Sequence, residues 1–288
     1  MDELNMLPTG IRHQDCVSGL KELPESCAQI VLCDPPYNIG KDFGNGSDKQ
    51  KFEEYIEWCK EWVSECKRIL KPNGVMYIYG FSEILAHIQV RALGNGLNVR
   101  WLIWHYTNKN VPSYKFWQRS HESILCVWKG TGLPHFNLDD VREPYTETFL
   151  KNAAGKTRKA TTGRFSKPGA EETTYTAHER GALPRDVLKV PALAGGAGRK
   201  ERVNHPTQKP LELCKRLLLA GMTKPQEECY VVIPFGGSGS ECVASKEMGI
   251  RYIAYEINEE YVKLIEKRLE GEAEEADKDE DEDKDEGV

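Results

Sequence analysis

Long apolar runs are absent from this chain. Its longest, "YIEWCKEWV" and "YVVIPF", fall far short of the roughly 20 residues a membrane span needs, and "MDELNMLPTG" has neither the basic start nor the apolar middle of a signal peptide. The expected setting is therefore the cytoplasm, with no membrane partner. No C-x-x-C pair occurs among the nine cysteines, and Cys33, Cys59, Cys66 and Cys126 fall on apolar faces. Zinc sites and disulfide frameworks are both disfavoured, and buried reduced thiols are expected. The pattern G-x-x-x-x-G-K-[ST] is missing too, which argues against a P-loop for nucleoside triphosphates.

What is present is unevenly distributed. The net charge of -6 averages an acidic end, Glu270 to Val288, with twelve acids against two lysines, and a body that is left at about +4. Within the body, Lys151 to Arg202 holds twelve Lys or Arg against five Asp or Glu. Such a stretch is the footprint of a surface that meets phosphates, with a solvated loop region as the plainer alternative. The acidic end is poor in apolar residues and is expected to be disordered.

Residues 11 to 129 alternate strand-like and helix-like segments. "KFEEYIEWCKEWVSECKRIL" puts Phe52, Ile56, Cys59, Trp62, Val63 and Cys66 at helical spacing, and "AQIVLC", "VMYIYG", "LNVRWLIWHY" and "ESILCVWKG" read as strands. Periodicity fades from 130 to 202 and returns with "PLELCKRLLLAGM", "CYVVIPF", "SECVASKEMG", "IRYIAYE" and "NEEYVKLIEKRL". The fold class is α/β: a mixed, mainly parallel, Rossmann-like sheet with helices on both faces, interrupted by an irregular insert.

Three segments carry chemistry. In "IVLCDPPYNIG" an apolar strand ends on Asp34, Pro35, Pro36 and Tyr37. The C-terminal edge of a parallel strand is where ligands bind in open α/β sheets. The two prolines fix their φ angles, which holds Asp34 and the Pro35 carbonyl as oriented acceptors suited to the two N–H bonds of a planar amine. Tyr37 offers a face on which a flat heterocycle can stack. In "VVIPFGGSGSECVA" a strand enters a glycine loop, Pro234, Phe235, Gly236, Gly237, Ser238 and Gly239, and Glu256 follows about 20 residues later, where an acid binds ribose hydroxyls, with Ile257 next to it. In "NHPTQKPLELCKRLL" prolines stiffen a turn before an amphipathic helix, so that Thr207 and Lys209 could receive a carboxylate.

Together these segments resemble the amino-group DNA methyltransferases, in the group whose catalytic D-P-P-Y precedes the cofactor loop. The resemblance covers roughly residues 9–129 and 203–269. It implies S-adenosylmethionine as cofactor and Asp34, Pro35, Pro36 and Tyr37 as the catalytic segment. It also implies a cofactor site built from Asp15, Cys16, Asp34, His205, Thr207, Lys209, Pro234 to Gly239, Glu256 and Ile257, with no metal. The family's loop commonly reads D-P-F-x-G-S-G, and here Ile233 stands where that Asp would be. The domain reading that follows is a catalytic half, 1–129, a target-recognition insert, 130–202, a cofactor-binding half, 203–269, and a disordered tail, 270–288. The implied activity is sequence-specific methylation of adenine N6 in double-stranded DNA after base flipping, with Arg158, Lys159, Arg164, Arg180 and Arg185 as candidate DNA contacts. Cytosine N4 is the alternative acceptor. An RNA or protein-glutamine methyltransferase and a non-catalytic DNA-binding relative are weaker alternatives. A restriction endonuclease acting on the same site and a second copy of the chain in a homodimer are the further partners the resemblance allows. The aromatic loop "NVPSYKFWQRSHES" could face DNA or pack in the core.

Overall fold

The computed structural model describes residues 7–41, 48–108, 113–159, 172–198 and 200–271. Arg164 and nearly all of the acidic tail lie outside them. In chain order the strands are β1 (Gly10–His13), β2 (Ala28–Cys33), β3 (Leu70–Gly80), β4 (Leu97–His105), β5 (His121–Lys129), β6 (Thr157–Lys159), β7 (Glu172–Thr174), β8 (Val187–Lys189), β9 (Tyr230–Ile233) and β10 (Arg251–Glu256). The α-helices are α1 (Cys16–Lys21), α2 (Phe52–Ile69), α3 (Ser82–His87), α4 (Glu147–Asn152), α5 (Leu211–Gly221), α6 (Ser240–Glu247) and α7 (Glu259–Glu270).

Among the described residues, eight strands form one sheet in the order β1-β10-β9-β2-β3-β5-β4-β8, parallel throughout except where β5 runs antiparallel to both β3 and β4. Strand side chains alternate faces, and the two sides of this sheet are both buried. Val31 and Cys33 join the cluster that packs on α1 and α2, whereas Ile30 and Leu32 join the one that packs on α5 and α6. The same alternation splits Val232 from Val231 in β9 and Ile253 from Ala254 in β10. The nine cysteines form no disulfide, and eight of them are buried.

Helix α2 illustrates how the pattern becomes packing. Tyr55, Ile56, Cys59, Trp62, Val63, Cys66 and Ile69 are its buried residues, Glu53 and Glu54 sit in its first turn and Lys67 and Arg68 in its last, each sign favourable to the helix dipole. Removing Trp62, which is fully buried, would cost about 3–5 kcal/mol. The helix passes straight into β3 at Leu70, so Lys71 to Gly74 already belong to the strand. No helix among the described residues is long and apolar enough to cross a membrane.

The chain divides into two compact units, residues 1–136 with 186–288, and residues 137–185. The smaller unit holds α4 and the antiparallel ribbon β6–β7. It is braced by Arg142 on Asp139 at 2.6 Å and by Arg180 on Asp140 at 2.8 Å. The sequence placed residues 186–202 in the insert. Here Val187 to Lys189 form β8, which extends the main sheet beyond β4, with Leu188 and Val190 buried. Three-residue strands carry too little periodicity to be read in advance.

Candidate active site

Parallel strands deliver their C-terminal ends to one edge. β2 and β9 are neighbours whose outgoing connections run to opposite sides, β2 toward β3 and β9 toward β10, so a crevice opens between them. Asp34 follows β2, Pro234 follows β9, Glu256 ends β10 and Asp15 follows β1. A cleft of about 180 Å³ at this edge is lined by Asp15, Cys16, Asp34, Pro35, Pro36, Tyr37, His205, Thr207, Pro234, Phe235, Gly237, Glu256 and Ile257. These segments, up to 242 residues apart in sequence from Asp15 to Ile257, thus converge on one space. Gly236, Ser238, Gly239 and Lys209 are not among its walls.

Lys209 lies elsewhere for a clear reason. Its ammonium is 2 % exposed and bonds Asp34 Oδ2 at 2.8 Å, with Glu122 Oε2 at 3.9 Å. Burial alone would lower its pKa, but the Asp34 and Glu122 carboxylates outweigh that and raise it, so the charge is retained. The ammonium also sits 5.4 Å from the Tyr37 ring and 5.3 Å from the Tyr79 ring. The turn therefore sends its lysine to Asp34 and leaves His205 and Thr207 on the cleft.

Tyr37 also departs from the expected open platform. Only 6 % exposed, it donates its O–H to Asp34 Oδ1 at 2.9 Å and lies 3.2 Å from Glu122 Oε2, while its ring meets Phe81 edge-on at 5.3 Å. Burial, with Asp34 and Glu122 alongside, pushes the phenol pKa far up, so it stays a donor. Each Asp34 oxygen thus has one partner and a lone pair left over. Behind the motif, Tyr55 donates to the Pro36 carbonyl at 2.8 Å. Asp48, 1 % exposed, accepts the backbone N–H groups of Asn38, Ile39 and Lys41, which fixes the chain as it leaves Tyr37 through the left-handed Asn38.

On the opposite wall, Glu256 accepts N–H bonds from Gly237 and Asn258, both at 2.8 Å. Burial raises its pKa although these N–H groups pull it down. Gly237 and Gly239 have φ of 51° and 78°, in the region that disfavours side chains. A Cβ on Gly239 would lie 2.8 Å from Ile265 of α7, whereas one on Gly237 would only touch His205 at 3.4 Å. One glycine thus serves helix packing and the other faces the cleft. Burial lowers the His205 pKa to about 3, with Lys209 and Arg268 adding to the effect, so its imidazole is neutral. It packs edge-on against Tyr261 at 4.7 Å. Asp15 caps α1 by accepting from Ser18 N at 3.0 Å, and Cys16, beside it, is held as a thiol by burial.

Glu122 and Asp48 are site residues that sequence reasoning missed. Glu122 is the second residue of β5, whose antiparallel direction brings its N-terminal end to the edge where the parallel strands finish. An antiparallel pairing cannot be read from the strand itself. Asp48 lies ten residues beyond the bond it makes to Asn38, outside any periodic segment.

The walls fit S-adenosylmethionine by their chemistry. Trp58, Phe235, Ile257 and Tyr261 line the cleft with apolar surface of the kind a purine packs on, Glu256 places a carboxylate on it, and His205 and Thr207 lie at the turn before α5. A family model described as DNA methylase, N6_N4_Mtase, matches residues 28–267. The type II methyltransferase M.HpaI of Haemophilus parainfluenzae is 30% identical over 90% of this chain and 73% of its own length. The DNA adenine methyltransferase YhdJ of Escherichia coli K12 is 30% identical over 90% of this chain and 82% of its own. Among solved structures, M1.HpyAVI in complex with SAM is similar with a TM-score of 0.55 at 23% identity, covering 90% of this chain and 98% of that one. The cytosine-N4-specific PvuII DNA methyltransferase is similar with a TM-score of 0.61 at 15% identity, covering 90% and 86%. These two likenesses show the fold. With the family matched across most of its length, the chain belongs to the DNA methylases and is a DNA methyltransferase that takes its methyl group from S-adenosylmethionine.

Proposed function

We propose that the chain methylates the N6 amine of adenine in duplex DNA, with Asp34 and the Pro35 carbonyl as acceptors for the two amine N–H bonds. The observation that carries this reading is the placement of Asp34 and Pro35 on the same cleft as Gly237 and Glu256. When bound, S-adenosylmethionine supplies an electrophilic methyl group on a sulfonium. An exocyclic amine is a poor nucleophile because its lone pair is delocalised into the ring. Two hydrogen-bond acceptors on its N–H groups favour a pyramidal nitrogen and stabilise the positive charge that develops on it. Lys209 and Tyr37 hold Asp34 from behind, so the acceptor is aimed before the base arrives. The base reaches it only when extruded from the duplex, at a cost of a few kcal/mol. Glu256 would hold the cofactor's ribose, and Asp15, His205 and Thr207 its two ends.

Adenine is preferred because, in the family this chain resembles, an Asp first in the motif leans toward adenine and a Ser toward cytosine, and because YhdJ, named a DNA adenine methyltransferase, is 30% identical. The same reading includes an endonuclease partner acting on the same site and a homodimer, supported for the first by the type II naming of M.HpaI. Mass spectrometry of nucleosides from DNA methylated by the protein is expected to yield N6-methyladenine, and Asp34→Ala to yield none. Only N4-methylcytosine would replace adenine by cytosine, and equal incorporation by Asp34→Ala would remove the assigned acceptor.

A further inference from the structure

The loop from β4 to β5 leaves three large rings in solvent: Tyr114 is 93 %, Phe116 79 % and Trp117 87 % exposed. Core packing, open to these residues in the sequence, is therefore excluded. Burial of a side chain of this size is strongly favourable, so three such rings within four residues mark a surface made for an apolar partner.

The strand directions place this loop. β4 is antiparallel to β5, which is antiparallel to β3, so β4 ends and β5 begins at the edge where Asp34 stands. The loop closes there, with Tyr106 N donating to the Ser120 carbonyl at 3.1 Å and Tyr106 O–H to the His121 carbonyl at 3.1 Å. Its second foot runs directly into the site. Arg119 lies 4.1 Å over the Phe81 ring, Phe81 meets Tyr37, and Glu122 is bonded by Tyr37.

Charge narrows the partner. From Thr107 to His121 there is no acidic residue, and Lys109 and Lys115 are basic, while Arg119 at the loop's second foot is paired with Glu83 at 2.7 Å. Flat apolar rings among cations complement a polyanion whose interior is made of flat apolar faces. We propose that Phe116 and Trp117, flanked by Tyr114, form a wedge that enters the base stack of duplex DNA and takes the space of the extruded base. Stacking of an aromatic side chain on a base is favourable on the same scale as the cost of opening one step. The inference rests on the DNA methyltransferase reading and adds the element that opens the duplex.

The test compares native with heat-denatured unmethylated genomic DNA as methyl acceptor, because single strands need no wedge. For Phe116→Ala/Trp117→Ala, the ratio of kcat/KM on native DNA to that on denatured DNA is expected to fall at least tenfold from the wild-type ratio. An unchanged ratio, whether through equal loss on both or no loss on either, overturns the wedge. DNA-dependent quenching of tryptophan fluorescence should also shrink in Trp117→Phe, and full retention of it counts against insertion. Rings that instead join two copies of the chain would show as a dimer that the double variant dissolves in sedimentation, which also overturns the proposal. If the wild type labels neither DNA, the methyltransferase reading itself fails, an outcome separate from these.

Discussion

Lys209 keeps its charge inside the protein only because two carboxylates face it, so the three groups should behave as one unit. Lys209→Met would leave Asp34 and Glu122 without their cation, at a cost of about 3 kcal/mol in urea unfolding. Adding Asp34→Asn should recover part of that loss, since it removes a carboxylate that lacks its partner; strictly additive effects in the double-mutant cycle would mean the groups are independent. Tyr37 separates ring from hydroxyl. Tyr37→Phe keeps the packing on Phe81 but frees Asp34 Oδ1, and kcat should fall roughly 10- to 100-fold with KM for the cofactor nearly unchanged, because only the aim of the acceptor is lost. An unaltered kcat would assign Tyr37 no part in aiming Asp34. At this scale the sequence was informative where chemistry is contiguous. Asp34 to Tyr37 are four adjacent residues with restricted backbones. Their partners Glu122 and Lys209 come from 85 and 175 residues away: the proline turn marked Lys209 as a partner for a carboxylate but not for that of Asp34, and nothing local marks Glu122.

Helix α6 carries a carboxylate where the fold gives it little support. Glu241, in its first turn, is 4 % exposed, and its Oε1 has no hydrogen-bond partner. Burial, and then the Asp34 charge, raise its pKa from 4.5 to about 7, against the pull of Lys209 and Cys214. Below pH 4.5 the group is protonated folded or unfolded and contributes nothing to stability. Between 4.5 and about 7 only the unfolded chain releases the proton, so stability falls as pH rises, and above that the loss is constant. Glu241→Gln should therefore gain on the wild type between pH 4.5 and 8 by up to about 3 kcal/mol, read as the difference of their unfolding free energies. A difference that does not vary with pH would mean that Glu241 ionises as freely in the fold as out of it. The glycine before α6 lets the backbone lie against Ile265 of α7. Gly239→Ala meets both the left-handed φ and Ile265, and should cost about 2 kcal/mol in thermal or urea unfolding; a neutral result would show that α7 yields. Elements with long periodicity, such as α2, were legible in advance. Short ones such as β8 were not, because their side chains find the sheet only after β4 is in place.

Charge is arranged by unit in the whole molecule. The basic stretch was visible in the sequence, but which of its cations are available to DNA was not, because ion pairs form only on folding. Arg142 and Arg180 are committed to Asp139 and Asp140 within the 137–185 unit, so Arg180 acts as a brace. Arg158 and Lys159, on the ribbon strand β6, are exposed, and Arg185 is exposed at the unit's end. Each cation that neutralises a DNA phosphate contributes about 0.9 to the slope of log affinity against log salt. Arg158→Ala/Lys159→Ala should therefore flatten that slope by about 2 and weaken binding most at low salt, with thermal stability lowered only slightly, because the bond that Arg158 donates to the Asn152 carbonyl is exposed. Arg180→Ala should do the reverse, leaving the slope nearly as it was and loosening the unit, which a faster proteolytic cut within residues 137–185 would report. Equal slopes for wild type and the Arg158/Lys159 variant would place the phosphate contacts elsewhere. The aromatic loop is then the strongest remaining candidate, and its Lys115 should account for about one unit of the slope by itself.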